Sequence, residues 1–218
     1  MDFMRWNLLS IGLVALLLGC APTYEEEYQA AQKEISALKL ELAETQRKLK
    51  AADNEIRHKI FTLARRANNF LQASNLDTVE LARLQQELAV HLDSYSQLNG
   101  NADQVALVAR FYRDKLSAIV ALQRDATRAY DRQYSSCLSD LDSQGKKNDL
   151  STMLCEVQAD VARKNPNEKL LASVTALLSV GRELLDSERL DGVASMSLEQ
   201  VEERFQVRLN EIVKNSAG

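Results

Sequence analysis

The sequence predicts an all-α protein: a long amphipathic helix with coiled-coil character, followed by an antiparallel helical bundle with one disulfide. Three observations predict it. Apolar residues recur at helical spacing through most of the chain, and no stretch sustains a two-residue alternation rich in Val, Ile and Thr. Glycine and proline are scarce, with seven and two among 218 residues, and beyond the first twenty residues Gly100, Gly145, Gly192 and Gly218 all fall between helical runs. Tyr28, Ile35, Leu42, Leu49, Ile56, Leu63 and Phe70 are each seven residues apart, the repeat of a coiled-coil seam.

The elements follow in order. Leu8 to Leu18 is an apolar run of eleven residues. That suits a secretory signal and falls short of the ~20 needed to span a bilayer. A single cation, Arg5, precedes it, and a start at Met4 would lead straight into it. The run ends Leu17-Leu18-Gly19-Cys20. This resembles the lipobox of bacterial lipoproteins. The resemblance covers residues 1–20. It implies a signal peptide over 1–19, a diacylglyceryl group on the Cys20 thiol, cleavage before Cys20, and an acyl chain such as palmitate on the new amino group. Two or three chains hold a protein stably at ~0.8 kcal/mol per buried CH2. Ala21 stands where enterobacterial lipoproteins retained in the inner membrane commonly carry Asp, so the resemblance implies the outer membrane, facing the periplasm. An uncleaved anchor or an ordinary secretory signal would leave Cys20 an incidental thiol.

Residues 20–22 are then the tether. Thr23 and Glu26 have the spacing of a capping box, opening a helix over 23–74. Taking the Tyr28 column as a, the d column is Ala31, Leu38, Thr45, Ala52, Lys59 and Arg66, which is weak. After Ile56 the stripe broadens to include Ile60 and Ala67, as in a helix packed on a bundle. The expected interface is Tyr28, Ile35, Leu38, Leu42, Leu49 and Ile56. In a parallel homodimer Glu34 faces Lys39 of the second copy and Lys48 faces Asp53, both attractive. Self-association or pairing with another protein through residues 24–58 fits the stripe. So does a single amphipathic helix folded against the rest of the chain. About 50 helical residues reach ~75 Å.

The bundle is expected over 77–214. Asp77 and Glu80 cap a second helix to about Leu98, and Asn99-Gly100-Asn101 ends it. A third runs from about Ala102 to Leu141, with Val105, Val108, Phe111, Tyr112, Leu116, Ile119, Val120 and Leu122 on a wide apolar face. After a loop over 143–149, a fourth runs to about Lys164. Asn165-Pro166-Asn167-Glu168 predicts a restart, with Asn as N-cap and Pro at the first helical position. The fifth helix carries Leu170, Leu171, Val174, Leu177, Leu178 and Leu185. Residues 187–196 form a linker, Ser197 and Gln200 make another capping box for a helix to about Lys214, and 215–218 is a tail.

Cys137 and Cys155 lie almost symmetrically about the loop near Lys146. In an antiparallel hairpin, positions symmetric about the turn face each other, within disulfide range when the helix axes are ~8–10 Å apart. The pair reads as a structural bridge in an oxidising compartment. A redox pair would usually be Cys-x-x-Cys, and no His lies nearby to complete a metal site.

The sequence carries no recognisable catalytic constellation. Neither histidine, His58 or His91, sits in a recognisable motif. Glu55-x-x-His58 is half of a di-iron bundle signature, but Glu87 and His91 are four apart, so no metal site is expected. No Gly-rich phosphate loop or Gly-x-Ser-x-Gly occurs. Nor does a zinc-binding His-Glu-x-x-His. The chain therefore reads as a non-enzyme without a cofactor beyond the lipid on Cys20. Net charge is −4, and removing residues 1–19 deletes one acid, Asp2, and one base, Arg5, so it stays −4. That balance offers no support for a nucleic-acid partner. Arg124, Arg128 and Arg132 form an i, i+4 ladder. It reads either as a docking face for an acidic partner or lipid headgroups, or as a solvated face balanced by Asp125 and Asp131. Tyr112, Tyr130 and Tyr134 suit either interface anchors or core.

Two functions fit. One is a structural spacer, adaptor or accessory subunit of a cell-envelope complex acting through helix–helix contacts. The alternative is a pilotin-like or other binding module that captures a protein or apolar ligand in a groove of the bundle, expected within residues 100–190.

Overall fold

A computed structural model describes residues 24–73, 76–99, 103–187 and 196–216. The lipobox, Cys20 and the Thr23 cap lie outside these residues. Among them the chain forms five α-helices and no strand: α1 Tyr24–Gln72, α2 Thr78–Asn99, α3 Gln104–Ser143, α4 Asp149–Ser187 and α5 Leu198–Ser216.

The starts of α2 to α5 each have a visible cause. The Asp77 carboxylate accepts from the Val79 backbone N–H at 2.8 Å and opens α2. Glu80 does not complete a capping box there, because Arg83 and Arg66 hold its carboxylate. Those cations, led by the Arg83 hydrogen bond, hold the Glu80 carboxyl below the usual carboxylate range. Asp103 caps α3 by accepting from Ala106 N–H at 3.0 Å, so the helix begins two residues later than the sequence suggested. Asn148 and Ser151 cap α4 reciprocally, each side-chain oxygen accepting from the other's backbone N–H at 2.9 Å. The Ser197–Gln200 capping box forms as its spacing predicts, at 2.9 and 3.2 Å. Between α3 and α4 the chain turns through Gly145 at φ 63°, a left-handed conformation that glycine adopts without strain.

One expectation fails. No helix ends near Lys164, and Asn165-Pro166 is not a restart, because α4 continues through Pro166 to Ser187. A proline inside a helix forfeits one hydrogen bond and crowds the carbonyl four residues back, at ~3 kcal/mol. Packing on both sides outweighs that here. Cys155 and Ala159 are buried before the proline, and Leu170, Val174 and Leu177 after it. The fifth and sixth predicted helices are therefore the second half of α4 and α5.

The chain divides into two compact units, 1–52 and 53–218. In the second, α3 packs against α2, α4 and α5, and α4 also packs against α5. Their core includes Leu84, Leu88, Phe111, Leu116, Ile119, Leu177 and Leu184, joined by Ile60, Phe61, Ala64, Ala67 and Leu71 from the end of α1. The broadened stripe after Ile56 is thus a core face. Tyr112 lies across this core toward Gly181. A Cβ at that glycine would sit 2.3 Å from the Tyr112 hydroxyl and 3.3 Å from Asn68 Oδ1. Burial pushes the Tyr112 phenol well above its usual range. Neither its hydroxyl nor Asn68 Oδ1 makes a hydrogen bond of proper geometry.

Candidate functional site: exposed apolar stripes

Within residues 24–52 the heptad positions stay open. Tyr28, Ile35, Leu38, Leu42 and Leu49 are each more than half exposed. Several polar side chains on the same stretch find partners within their own helix. Thr45 Oγ1 donates to the Glu41 carbonyl at 2.9 Å, and Ser36 Oγ to the Gln32 carbonyl at 2.8 Å. Gln32 donates to the Tyr28 hydroxyl at 2.9 Å, and Lys48 pairs with Glu44 at 2.8 Å. The surface is therefore a stripe of exposed apolar side chains, with the Tyr28 and Thr45 hydroxyls within it already bonded in their own helix.

The stripe ends sooner than the spacing predicts. Ile56, expected as its last interface residue, is half-buried against the bundle core, because the second unit begins at Asp53. Asp53 is engaged there too: it accepts from the Asn99 amide and lies 4.0 Å from Arg57. Arg57 Nη2 in turn donates to the Tyr95 hydroxyl at 3.2 Å, and that hydroxyl donates to Asp103. Burial, then the Asp103 contact, drives the Tyr95 phenol far above its usual range. This network ties the start of the bundle part of α1 to α2 and to the cap of α3.

The hairpin of α3 and α4 carries a second stripe that sequence reasoning missed. Leu150, Met153, Leu154, Val157 and Val161 are all more than half exposed. Four of them follow a 4, 3, 4 spacing, a heptad signal that was present in the sequence. A helix ending near Lys164 would be too short to display it as a face, whereas α4 runs on through Pro166. Between residues 127 and 169 only Cys155 and Ala159 are buried. The hairpin is held instead by the Cys137–Cys155 bridge, with Cα atoms 5.6 Å apart, as symmetry about the turn predicts. Tyr130 and Tyr134 stack at 5.8 Å beside it, and the Arg163 guanidinium covers Tyr130 at 5.0 Å. Of the three tyrosines, only Tyr112 is core.

Arg124, Arg128 and Arg132 are exposed on α3. Arg132 Nε donates to the Arg128 carbonyl at 3.2 Å, and Arg128 lies 3.8 Å from Asp125. Arg124 and Arg128 line a shallow depression with Thr78, Gln123 and Thr127. A depression between α4 and α5 is lined by Val180 and Val207 and rimmed by Glu183, Glu203, Arg204, Arg208 and Glu211. Four of those charges pair with one another, Arg204 to Glu183 at 3.3 Å and Arg208 to Glu211 at 3.0 Å.

His58 is exposed and His91 half-buried, while the Glu55 carboxylate near them is bonded to Lys59 at 2.6 Å. Among the described residues no group of three or more His, Cys, Asp or Glu is placed to hold a metal ion. No helix among them is long and apolar enough to cross a membrane. Comparison with protein-family models, with curated proteins and with solved structures finds no match to this chain.

Proposed function

We propose that this chain is a lipid-anchored helical spacer or adaptor of the bacterial cell envelope, tethered to the outer membrane through Cys20 and facing the periplasm. It works by helix–helix contact and not by catalysis. The observation that carries the reading is the exposed stripe from Tyr28 to Leu49. It starts within a few residues of the lipobox cysteine, so a partner seated on it is held close to the membrane. The Cys137–Cys155 bridge supports an oxidising compartment.

The test has two parts. Incorporation of labelled fatty acid should be lost on Cys20→Ser and retained on Cys137→Ala/Cys155→Ala. A photo-crosslinking residue placed at Thr45, in cells, should give a discrete protein adduct. Labelling that survives Cys20→Ser would remove the anchor. A Thr45 probe that yields no protein adduct would remove the interaction surface.

A further inference from the structure

The geometry points to the occupant of the α1 stripe: a second copy of this chain, its helix parallel and in register over residues 24–49. The inference rests on the reading of that stripe as an interface and is independent of the lipid.

Charge selects the occupant. With Tyr28, Ile35, Leu42 and Leu49 at a and Ala31, Leu38 and Thr45 at d, the g positions are Glu27, Glu34, Glu41 and Lys48, and the e positions are Gln32, Lys39 and Gln46. In a parallel in-register pair each g residue meets the e residue five positions on in the partner. Glu34 then meets Lys39, while Glu27 meets Gln32 and Glu41 meets Gln46, so like charges never oppose. In an antiparallel pair g meets g. Three of the four g residues are glutamates, and every antiparallel register that overlaps most of the stripe brings at least one Glu against a Glu. Parallel pairing is the arrangement without a clash.

The structure removes two obstacles and sets a boundary. Thr45 is the polar member of the seam, and a buried hydroxyl without a partner is costly. Its hydroxyl already donates to the Glu41 carbonyl of its own helix, so only its methyl group need face the partner. Tyr28 likewise has its hydroxyl met by Gln32. The boundary is Leu49. Beyond it Ile56 belongs to the bundle core and Asp53 is engaged by Asn99. The expected Lys48–Asp53 pair therefore gives way to the Lys48–Glu44 bridge within each helix, 2.8 Å long.

Charge swaps on the full chain, extracted in detergent, read out partner and direction together. The measurement is exchange of fluorescence between two labelled pools, giving a dimer dissociation constant. Glu34 and Lys39 are five apart and do not face each other within one helix, so any coupling between them reports contact across two chains. Glu34→Lys should weaken the dimer about tenfold, since two Glu–Lys pairs become Lys–Lys pairs. Lys39→Glu should do the same, and the double swap should restore the original affinity. A tighter dimer on Glu34→Lys would mean relief of a Glu–Glu clash, which overturns the parallel arrangement. Absence of exchange-competent dimers at ~100 µM, far above a useful interface affinity, would overturn the second copy as occupant. A Thr45 adduct with a different protein would then leave the adaptor reading standing, and no Thr45 adduct at all would sink both.

Discussion

Removing the Cys137–Cys155 bridge should loosen one hairpin and leave the bundle intact. The perturbation is Cys137→Ala/Cys155→Ala, which avoids burying a new hydroxyl at Cys155, a fully buried position. The two cysteines are 18 residues apart, and closing a loop of that length in the unfolded chain is worth ~3 kcal/mol. Little else holds the same segment. From 127 to 169 the buried residues are Cys155 and Ala159 alone, and an alanine contributes ~1 kcal/mol at most. The lost stabilisation should therefore appear as local opening. Amide hydrogen exchange is the assay. Exchange over 130–160 should accelerate by roughly a hundredfold, which is ~3 kcal/mol at 1.4 kcal/mol per decade. Residues 105–120 and 174–185 carry the core and should keep their protection. Uniform loss of protection across both regions would refute the reasoning, because it would make the hairpin one cooperative unit with the bundle. Unchanged exchange at 130–160 would refute it from the other side.

Two further substitutions test the packing. Gly181→Ala places a methyl group 2.3 Å from the hydroxyl of a fully buried Tyr112. Against the ~1 kcal/mol that alanine gains over glycine in a helix, overpacking of ~1–3 kcal/mol should leave a net loss in urea unfolding. Tyr112→Leu should erase that penalty, and a stabilised single variant would show that the ring has room to move. Pro166→Ala restores a backbone hydrogen bond in the middle of α4 and should raise stability by ~1–2 kcal/mol. A loss on thermal unfolding would show that α4 needs the proline to seat Cys155 and Leu170 on the same side.

What the sequence revealed tracks how locally each feature is determined. The Ser197–Gln200 box is legible because four residues contain both donors and both acceptors. The cysteine pairing is legible because hairpin symmetry needs only a turn and a helix period. The change in α1 at Ile56 is legible because burial widens the apolar face there. Pro166 is misleading for the opposite reason. Its restart signal is local, but the outcome is decided by Ala159 and Leu170 packing on either side of it. Gly181 gives no local signal at all, because its role is to admit a tyrosine ring from position 112. The early end of the α1 stripe depends on Ile56 packing on the bundle core, where Asn99 also reaches back to Asp53 from 46 residues away, and no periodicity reports either contact.

The same heptad column meets two different environments along one helix, and that contrast bears on the difference between a spacer and an interface. A helix that only needs to bridge distance in water does well with alanine and with i, i+4 ion pairs such as Glu44–Lys48. It gains nothing from leucine at every seventh position. After Ile56 the apolar column is accounted for by the core it fills: Leu63 is buried and Phe70 packs against the cluster. Before Ala52 the column has the same period and the same residue types, yet Ile35, Leu42 and Leu49 stay more than half exposed. Their hydration costs the free chain ~1 kcal/mol each relative to burial, since about half of each side chain is already covered. Polar substitution at these positions would be free of that cost in a bare spacer. Replacing Leu42 and Leu49 with Gln separates the two cases. The fold of the bundle should be unchanged in both, since neither side chain belongs to its core. A spacer would keep its function in cells, whereas an interface would lose the Thr45 adduct and the activity that depends on it.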